Sequence, residues 1–363
     1  MNSLAVIGAG FGDEGKGRVT DFLCSQNRRP IVVRFSGGQQ AGHQVVLDDD
    51  RNHVFSNFGS GSYQGAPTYW SAFCTMDPIG IVNELEVLTQ KGIWPLLYID
   101  ERCPVTTPFD VAHNRTHEKI NRHGSCGIGV GATMQRESDK YSLVFADLFC
   151  KSILDIKIEL IRRYYDSHAE IDDFMFCCDY LVRTDCIKVC DGMPRKGFDT
   201  CVFEGAQGLL LDQHFGFFPH VTRSNTGTPN ILEMGYRPEI FLVTRAYQTR
   251  HGNGPMTNEP IAHNIKVNPY EKNVSDGFQG PFRLSLLDLD LLRYGISKDR
   301  YIRENHNKTL VITCLDLVEN EYRFTIDKKI ICCDNRDDFV SRILDYLQIG
   351  NVLISSSPYS GAW

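Results

Sequence analysis

The chain reads as an α/β protein built on a large, mostly parallel, twisted sheet with flanking helices and long ligand-binding loops. Three observations predict this. Short, continuous, β-branched runs recur along the 363 residues, as buried parallel strands require. Amphipathic helical patterns lie between them. Glycine-rich stretches follow several of the runs, at the strand ends where open parallel sheets bind ligands. No internal repeat, low-complexity tract or clear linker divides the sequence, so residues 1–363 are expected to form one elaborated domain.

The first element is the apolar run Leu4-Ala5-Val6-Ile7, which empties into Gly8-Ala9-Gly10-Phe11-Gly12-Asp13-Glu14-Gly15-Lys16-Gly17. A strand followed by such a turn brings backbone N–H groups up to a phosphate. Two familiar templates nearly fit. The dinucleotide pattern starting at Gly8 meets Asp13 where its third glycine belongs, and the Walker pattern from Gly10 to Lys16 meets Gly17 where a magnesium-binding hydroxyl belongs. Asp13 offers a carboxylate in its place that can bind Mg²⁺ directly. A turn this dense in glycine, with a lysine and an adjacent Asp-Glu pair, is more than a packing device. The loop carries its own acid or base, which is an enzyme's feature. Val19, Phe22 and Leu23 then suit a helix facing the sheet.

Further strands are expected at 31–35, 201–204, 240–244, 309–313 and 351–355, and helices at 81–91, 152–165 and 337–347, the last with an acidic start. Residues 252–282 are polar, contain Gly and Pro, and lack periodicity. A long irregular loop of this kind is usually functional.

Composition excludes several classes of function. A net charge of −7 with scattered basic residues argues against nucleic-acid binding. No apolar run approaches the roughly 20 residues of a membrane span, and the N-terminus lacks a secretory pattern, so a soluble cytoplasmic protein is expected. The 13 cysteines contain no C-x-x-C, and their odd number does not suit a secreted disulfide scaffold. Cys177, Cys178, Cys186 and Cys190, near Asp179 and Asp185, match no common zinc spacing and read as small thiols in a reducing compartment. His113 and His117 share a helical face, but Asn114 stands where a metalloprotease glutamate would be, so that helix reads as a solvated face.

Four other stretches look like site material. Ser36-Gly37-Gly38-Gln39-Gln40-Ala41-Gly42-His43 places a histidine among glycines after the second strand. Gly124–Gly131 is a second glycine-rich loop. Phe203-Glu204-Gly205-Ala206-Gln207-Gly208 leads to Asp212 and to the run from Pro219 to Thr226, and Thr249–Pro255 follows the strand at 240–244.

Taken in order, these stretches resemble adenylosuccinate synthetase. The matching motifs are G-D-E-G-K-G (12–17), G-G-x-x-A-G-H (37–43), F-E-G-A-Q-G-x-L-L-D (203–212), V-T-x-S-N-T (221–226) and T-R-x-G-x-G-P (249–255), with partial matches near 313–316 and 354–358. The resemblance covers nearly the whole chain and implies a homodimer and a two-step ligase. A nucleoside triphosphate phosphorylates O6 of a purine monophosphate, and the amine of L-aspartate displaces that phosphate. It implies that Asp13 takes the N1 proton and holds Mg²⁺ together with the Gly42 carbonyl, and that His43 protonates the departing bridge oxygen. Gly12, Asp13, Glu14, Gly15, Lys16, Gly17, Gly42, His43 and Gln44 would surround the triphosphate, and Thr313, Leu315, Asp316, Ser355 and Ser357 its base. Asp13, Gln40, Ser125, Gln207 and Thr222 would bind the monophosphate, with Arg136 matching an arginine lent by the other subunit. Gly280 and Arg283 would bind aspartate, Arg283 through a carboxylate.

The departures from the family are as informative. The guanine-reading T-K-L-D is Thr313-Cys314-Leu315-Asp316, and I-S-T-G-P is Ile354-Ser355-Ser356-Ser357-Pro358. The aspartate loop T-T-G-R-x-R is Phe278-Gln279-Gly280-Pro281-Phe282-Arg283, which loses the arginine that reaches the ribose 2′-hydroxyl region. Gln40 replaces a usual asparagine. A phage-encoded branch of the family has such traits and amidates dGMP with ATP or dATP, on the way to 2-aminoadenine. The sequence is similar to that branch, which would place it in a host cytoplasm. Asp316 points the other way, because a carboxylate accepts naturally from guanine N1–H and N2–H₂. An ordinary IMP- and GTP-using synthetase is thus the alternative. A non-catalytic nucleotide-binding regulator would need neither Asp13 nor His43, and Asp13 in the turn makes a dinucleotide dehydrogenase a poor fit.

Overall fold

The computed structural model describes residues 1–48, 51–121, 124–271, 280–319, 321–361 and 363. Nine strands form its central sheet: β1 (Asn2–Gly8), β2 (Pro30–Arg34), β3 (Thr68–Trp70), β4 (Leu97–Asp100), β5 (Ile187–Cys190), β6 (Thr200–Gly208), β7 (Glu239–Arg245), β8 (Lys308–Thr313) and β9 (Asn351–Ile354). Their spatial order is β9-β8-β7-β1-β6-β2-β3-β4-β5, and every neighbouring pair is parallel. The expected mostly parallel sheet with flanking helices is therefore present. All the carboxyl ends lie on one edge.

Alternation along the central strands divides their side chains between two helical layers. Ala5, Ile7, Val33, Phe203, Leu242 and Leu310 face a core completed by Leu292, Phe339 and Ile343. Val6, Val32, Val202, Val243 and Val311 face Val19 and Leu23 of the helix Lys16–Gln26. A second core under β3 and β4 joins Trp70, Leu97 and Ile99 to the helices Pro78–Gln90, Lys151–Tyr165 and Asp172–Arg183. Full burial of each such aliphatic side chain contributes about 1.5–3 kcal/mol, so the sheet is anchored on both faces.

The helix at 81–91 begins earlier than its periodicity indicated. Pro78 is in the first turn and the Asp77 carboxylate accepts from the Ile79 N–H, which fixes the start at Pro78. Arg336–Leu347 is capped by Asn335, whose side chain accepts from the N–H groups of Asp337 and Asp338. The irregular stretch at 252–282 is closed at its base by an antiparallel pair, Gln248–His251 with Phe282–Ser285, in which His251 stands opposite Phe282 and Arg250 opposite Arg283. Phe278 and Gln279 of the expected aspartate loop lie outside the described residues. Among the described residues, no helix is long and apolar enough to cross a membrane.

Candidate active site

The turn after β1 is shaped by its own glutamate. Gly12, Asp13 and Gly15 have φ of 92°, 60° and 94°, left-handed values that lift the chain over the end of the sheet before the helix Lys16–Gln26 begins. Inside this turn the Glu14 carboxylate folds back. Its Oε1 accepts from the N–H groups of Gly10 (3.1 Å) and Gly12 (2.8 Å), and its Oε2 pairs with Lys16 Nζ at 2.7 Å. Both side chains of this pair are buried. The helix then passes so close to the next loop that a Cβ on Gly17 would lie 2.8 Å from His43 Cβ and 2.9 Å from Ser60 Oγ. Only glycine lets the two loops meet.

His43 opens a short hairpin strand, His43–Val46, and is buried. Its Nδ1 stands 2.9 Å from Oε1 of Glu204, near the carboxyl end of β6, in an ion-pair contact. Arg34, at the end of β2, approaches the other Glu204 oxygen at 3.9 Å, and the Ser60 N–H donates to it at 3.3 Å. Burial pushes the Glu204 carboxyl up, but His43, Arg34 and Ser60 together outweigh it and hold it at about 2. Burial lowers the His43 imidazole; Glu204 opposes that shift, while Arg34 and Lys16 add to it. A carboxylate that stays ionised behind a buried imidazole fixes the ring and favours its proton-carrying form.

Asp13 is different. Burial raises its carboxyl, Arg245 and Lys16 oppose the rise, and Glu271 and Glu14 reinforce it. A carboxylate with raised basicity is better matched to taking a proton near neutral pH. Arg245, the last residue of β7, holds the loop by donating from Nε to the Asp13 carbonyl at 2.6 Å, and its Nη2 bonds Glu271 at 2.9 Å.

These groups open on one cavity of about 1090 Å³ along the carboxyl edge of the sheet. Its lining includes Asp13, Glu14, Gly15, Lys16, Gly17, Gln40, Gly42, His43, Gln44, Ser125, Gln207, Thr222, Thr313 and Ser357. The phosphate loop, the expected acid and base and the four expected monophosphate contacts Gln40, Ser125, Gln207 and Thr222 are therefore brought together. Gly12 is not on the wall, and its N–H is taken by Glu14. Thr313, Cys314 and Ser357 line the cavity, whereas Leu315, Asp316 and Ser355 do not: Leu315 and Ser355 are buried, and Asp316 is half-buried.

Arg136 requires a correction. Its guanidinium is wholly buried, paired with Asp110 at 3.0 Å and Glu137 at 2.9 Å, and donates to the carbonyls of Val105 and Tyr141. A side chain so committed inside its own chain is not one lent to another subunit. Arg283 and Gly280 also stand off the cavity wall. Arg283 pairs with Glu259 at 2.9 Å and donates to the carbonyls of Gly252 and Gly254, leaving its buried Nε unpartnered; the Gly280 carbonyl meets His251 Nε2. The helix bearing His113 and His117 presents the expected solvated face, with His113 half-buried and His117 exposed, and both histidines stand on the open wall of the cavity.

Sequence reasoning also missed groups that matter here. Glu204 was visible as a carboxylate inside an otherwise apolar strand, and Arg34 as a charge ending one. Arg18, one residue past the loop, donates to Ser355 Oγ and the Ser357 carbonyl and lies over the Trp363 ring, a link no local pattern indicates.

The residues fit a magnesium ion of the kind that travels with phosphates. Asp13 supplies a carboxylate and Gly42 an exposed peptide on the same cavity, while no group of three His, Cys, Asp or Glu side chains converges among the described residues. One or two protein ligands, with the remaining positions left to phosphate and water, is how Mg²⁺ is usually held.

Comparison with known proteins agrees with this geometry. Residues 5–330 match the family model for adenylosuccinate synthetase. An adenylosuccinate synthetase of Thermodesulfovibrio yellowstonii is 30% identical over 358 residues, covering 92% of this chain and 80% of the relative. The fully ligated adenylosuccinate synthetase structure from Plasmodium falciparum is similar with a TM-score of 0.79 and 18% identity, covering 99% of this chain and 98% of that one. The cyanophage S-2L succinoaminodeoxyadenylate synthetase, bound to dGMP and dATP, is similar with a TM-score of 0.70 and 15% identity, covering 99% and 94%. The likeness is thus greater to the Plasmodium enzyme and does not single out the phage branch. The chain belongs to the adenylosuccinate synthetase family, as a nucleoside triphosphate-driven ligase of purine nucleotide and aspartate.

Proposed function

We propose that this chain joins L-aspartate to C6 of IMP with GTP as phosphoryl donor, giving adenylosuccinate, GDP and phosphate. The observation that carries the chemistry is the placement of Asp13, Lys16 and His43 on one cavity, with Glu204 buried behind His43. Asp13 takes the N1 proton as O6 attacks the γ-phosphorus. His43 gives a proton to the departing bridge oxygen. The amine of aspartate then attacks C6 and expels phosphate. Lys16 and the loop N–H groups align the phosphates, on which such transfers chiefly depend. Asp13 and the Gly42 carbonyl would hold Mg²⁺, which neutralises phosphate charge when bound. Gln40, Ser125, Gln207 and Thr222 would bind the monophosphate, Arg283 and Gly280 the aspartate, and Thr313, Leu315, Asp316, Ser355 and Ser357 the donor base, in a homodimer as in the family. IMP is supported by the relatives being named for adenylosuccinate, and GTP by Asp316, which lies off the cavity wall here but carries a carboxylate that suits the guanine edge.

A specific observation favours a second reading, with dGMP as acceptor and ATP or dATP as donor. Pro281 has no donor to give a 2′-hydroxyl, and Cys314 and Ser357 alter the guanine-reading surroundings. A site that has dropped a hydrogen-bonding partner loses the discrimination, about 10⁴-fold or more, that such a partner can confer. Aspartate-dependent phosphate release is the test, with IMP, GMP and dGMP each paired with ATP, dATP and GTP. Turnover confined to IMP with GTP supports the first reading. Turnover of dGMP with ATP or dATP replaces it with the second, and no aspartate-dependent release in any pairing overturns both.

A further inference from the structure

Asp13 holds a left-handed backbone, with φ at 60°, which a residue carrying a Cβ keeps only where its surroundings fix it. The fixing group comes from the sheet. Arg245 ends β7 in register with Thr313 of β8, and the next residue, Ala246, donates its N–H to the Thr313 carbonyl at 2.9 Å. From this rigid base the guanidinium reaches the turn and donates from Nε to the Asp13 carbonyl at 2.6 Å. A reacting group tied to a strand is placed more precisely than one left to a turn.

The other donors of Arg245 go elsewhere. Its Nη1 donates to the Tyr247 hydroxyl at 2.8 Å and its Nη2 to Glu271 at 2.9 Å. The guanidinium also lies 5.5 Å from the ring centroids of both Tyr247 and Phe282, close enough for an aromatic face to hold a cation. Arg245 is 7% exposed and Tyr247 3%, so little water competes for these contacts. Phe282 opens the strand Phe282–Ser285 opposite His251, and Glu271 stands in the irregular stretch before it. One side chain thus joins the turn that carries the base, the irregular stretch and the hairpin that closes it. A lysine could give its ammonium to the Asp13 carbonyl but lacks the planar fork that spans all three. Phe282 is not on the cavity wall, so any effect it has on the chemistry must pass through what it touches.

We propose that Arg245 is a positioning residue for Asp13, and that Phe282 and Glu271 set Arg245 in turn, so that the strand Phe282–Ser285 governs phosphoryl transfer from outside the cavity. The inference rests on the reading of Asp13 as the base. Displacing a reacting group by about 1 Å costs up to about 10²-fold in rate, whereas contacts that other residues make to the nucleotides stay as they are. The loss should therefore fall on kcat and not on binding.

The experiment is aspartate-dependent phosphate release, with the nucleotide pair that the wild-type chain turns over, for Arg245→Met, Arg245→Lys, Phe282→Leu and the double variant Arg245→Met/Phe282→Leu. Arg245→Met should lower kcat about 10- to 100-fold with both nucleotide KM values within about threefold, and Arg245→Lys should recover part of that loss. Phe282→Leu should lower kcat several-fold by itself and have no further effect in the Arg245→Met background, because it acts through the guanidinium. Circular dichroism and the urea midpoint report folding; if Arg245→Met does not fold, Arg245→Lys takes its place alone and in the double variant. An unchanged kcat in a folded Arg245 variant, a loss carried by the nucleotide KM values, or effects of the two substitutions that simply multiply overturns the positioning role and leaves the ligase reading standing. Near-normal turnover of Asp13→Ala, or a wild type with no aspartate-dependent release in any nucleotide pairing, overturns both.

Discussion

Glu204 holds His43 from behind: the carboxylate oxygen lies 2.9 Å from Nδ1, both side chains are buried, and the imidazole lies on the cavity wall. Glu204→Gln should therefore reduce turnover, because an amide cannot balance the imidazolium charge. The sign with pH is fixed. Activity needs protonated His43 and is lost as pH rises through its pKa; removing the carboxylate lowers that pKa further, so the alkaline fall in kcat should move to lower pH. A profile that keeps its position would mean that Glu204 acts only in packing.

Asp13→Ala and His43→Ala should each lower kcat by about 10²–10⁴-fold with the fold and nucleotide binding retained. Asp13 should sit at the upper end, since it would also lose a metal ligand. Steady-state phosphate release and nucleotide titration check this, and near-normal turnover removes the residue from the mechanism.

Arg283→Ala should raise the KM for aspartate at least tenfold and leave both nucleotide KM values within a few-fold. In the structure the guanidinium is spread over Glu259 and two carbonyls and its Nε is buried, so binding aspartate requires Arg283 to exchange one of those contacts for the substrate carboxylate. Equal effects on all three substrates would mark Arg283 as structural.

Gly17→Ala should cost about 1–3 kcal/mol in urea unfolding and also depress activity, because the new methyl meets His43 and Ser60 below contact distance. Stability loss with unchanged kcat would show that the His43 loop yields without moving the ring.

Asp110→Ala should be more damaging to stability, by about 3–5 kcal/mol, since it leaves Arg136 charged and buried without its carboxylate. Unfolding midpoints measured at constant slope would report this, and a loss under 1 kcal/mol would mean that Glu137 suffices as partner.

The central strands and the phosphate loop were legible because each is an unbroken signal: Leu4–Ile7 running into glycines, or the continuous apolar, β-branched runs of β2, β7 and β8. Strands β3, β4 and β5 were not, because Thr-Tyr-Trp, Leu-Tyr-Ile-Asp and Ile-Lys-Val-Cys are three or four residues long and their pairing is decided by neighbours far along the chain. Arg136 shows the opposite failure. An arginine shortly after a glycine loop has the local look of a ligand-binding residue, and only the packing of Asp110 and the Val105 and Tyr141 carbonyls around it shows that its charge is spent inside. The histidines at 113 and 117 were placed on a helix correctly, but which face a helix turns to a cavity is a tertiary fact.

The Glu14 carboxylate, resting on the loop's own N–H groups and on Lys16, gives the loop an internal tenant. A stray sulfate or inorganic phosphate arriving alone must evict it, with few contacts of its own to offset the exchange. A nucleotide carries a base and a chain of phosphates that engage the rest of the cavity at the same time. The loop thus discriminates by the size of the whole ligand before any base is read, and the enzyme does not stand idle with its lysine occupied by common anions.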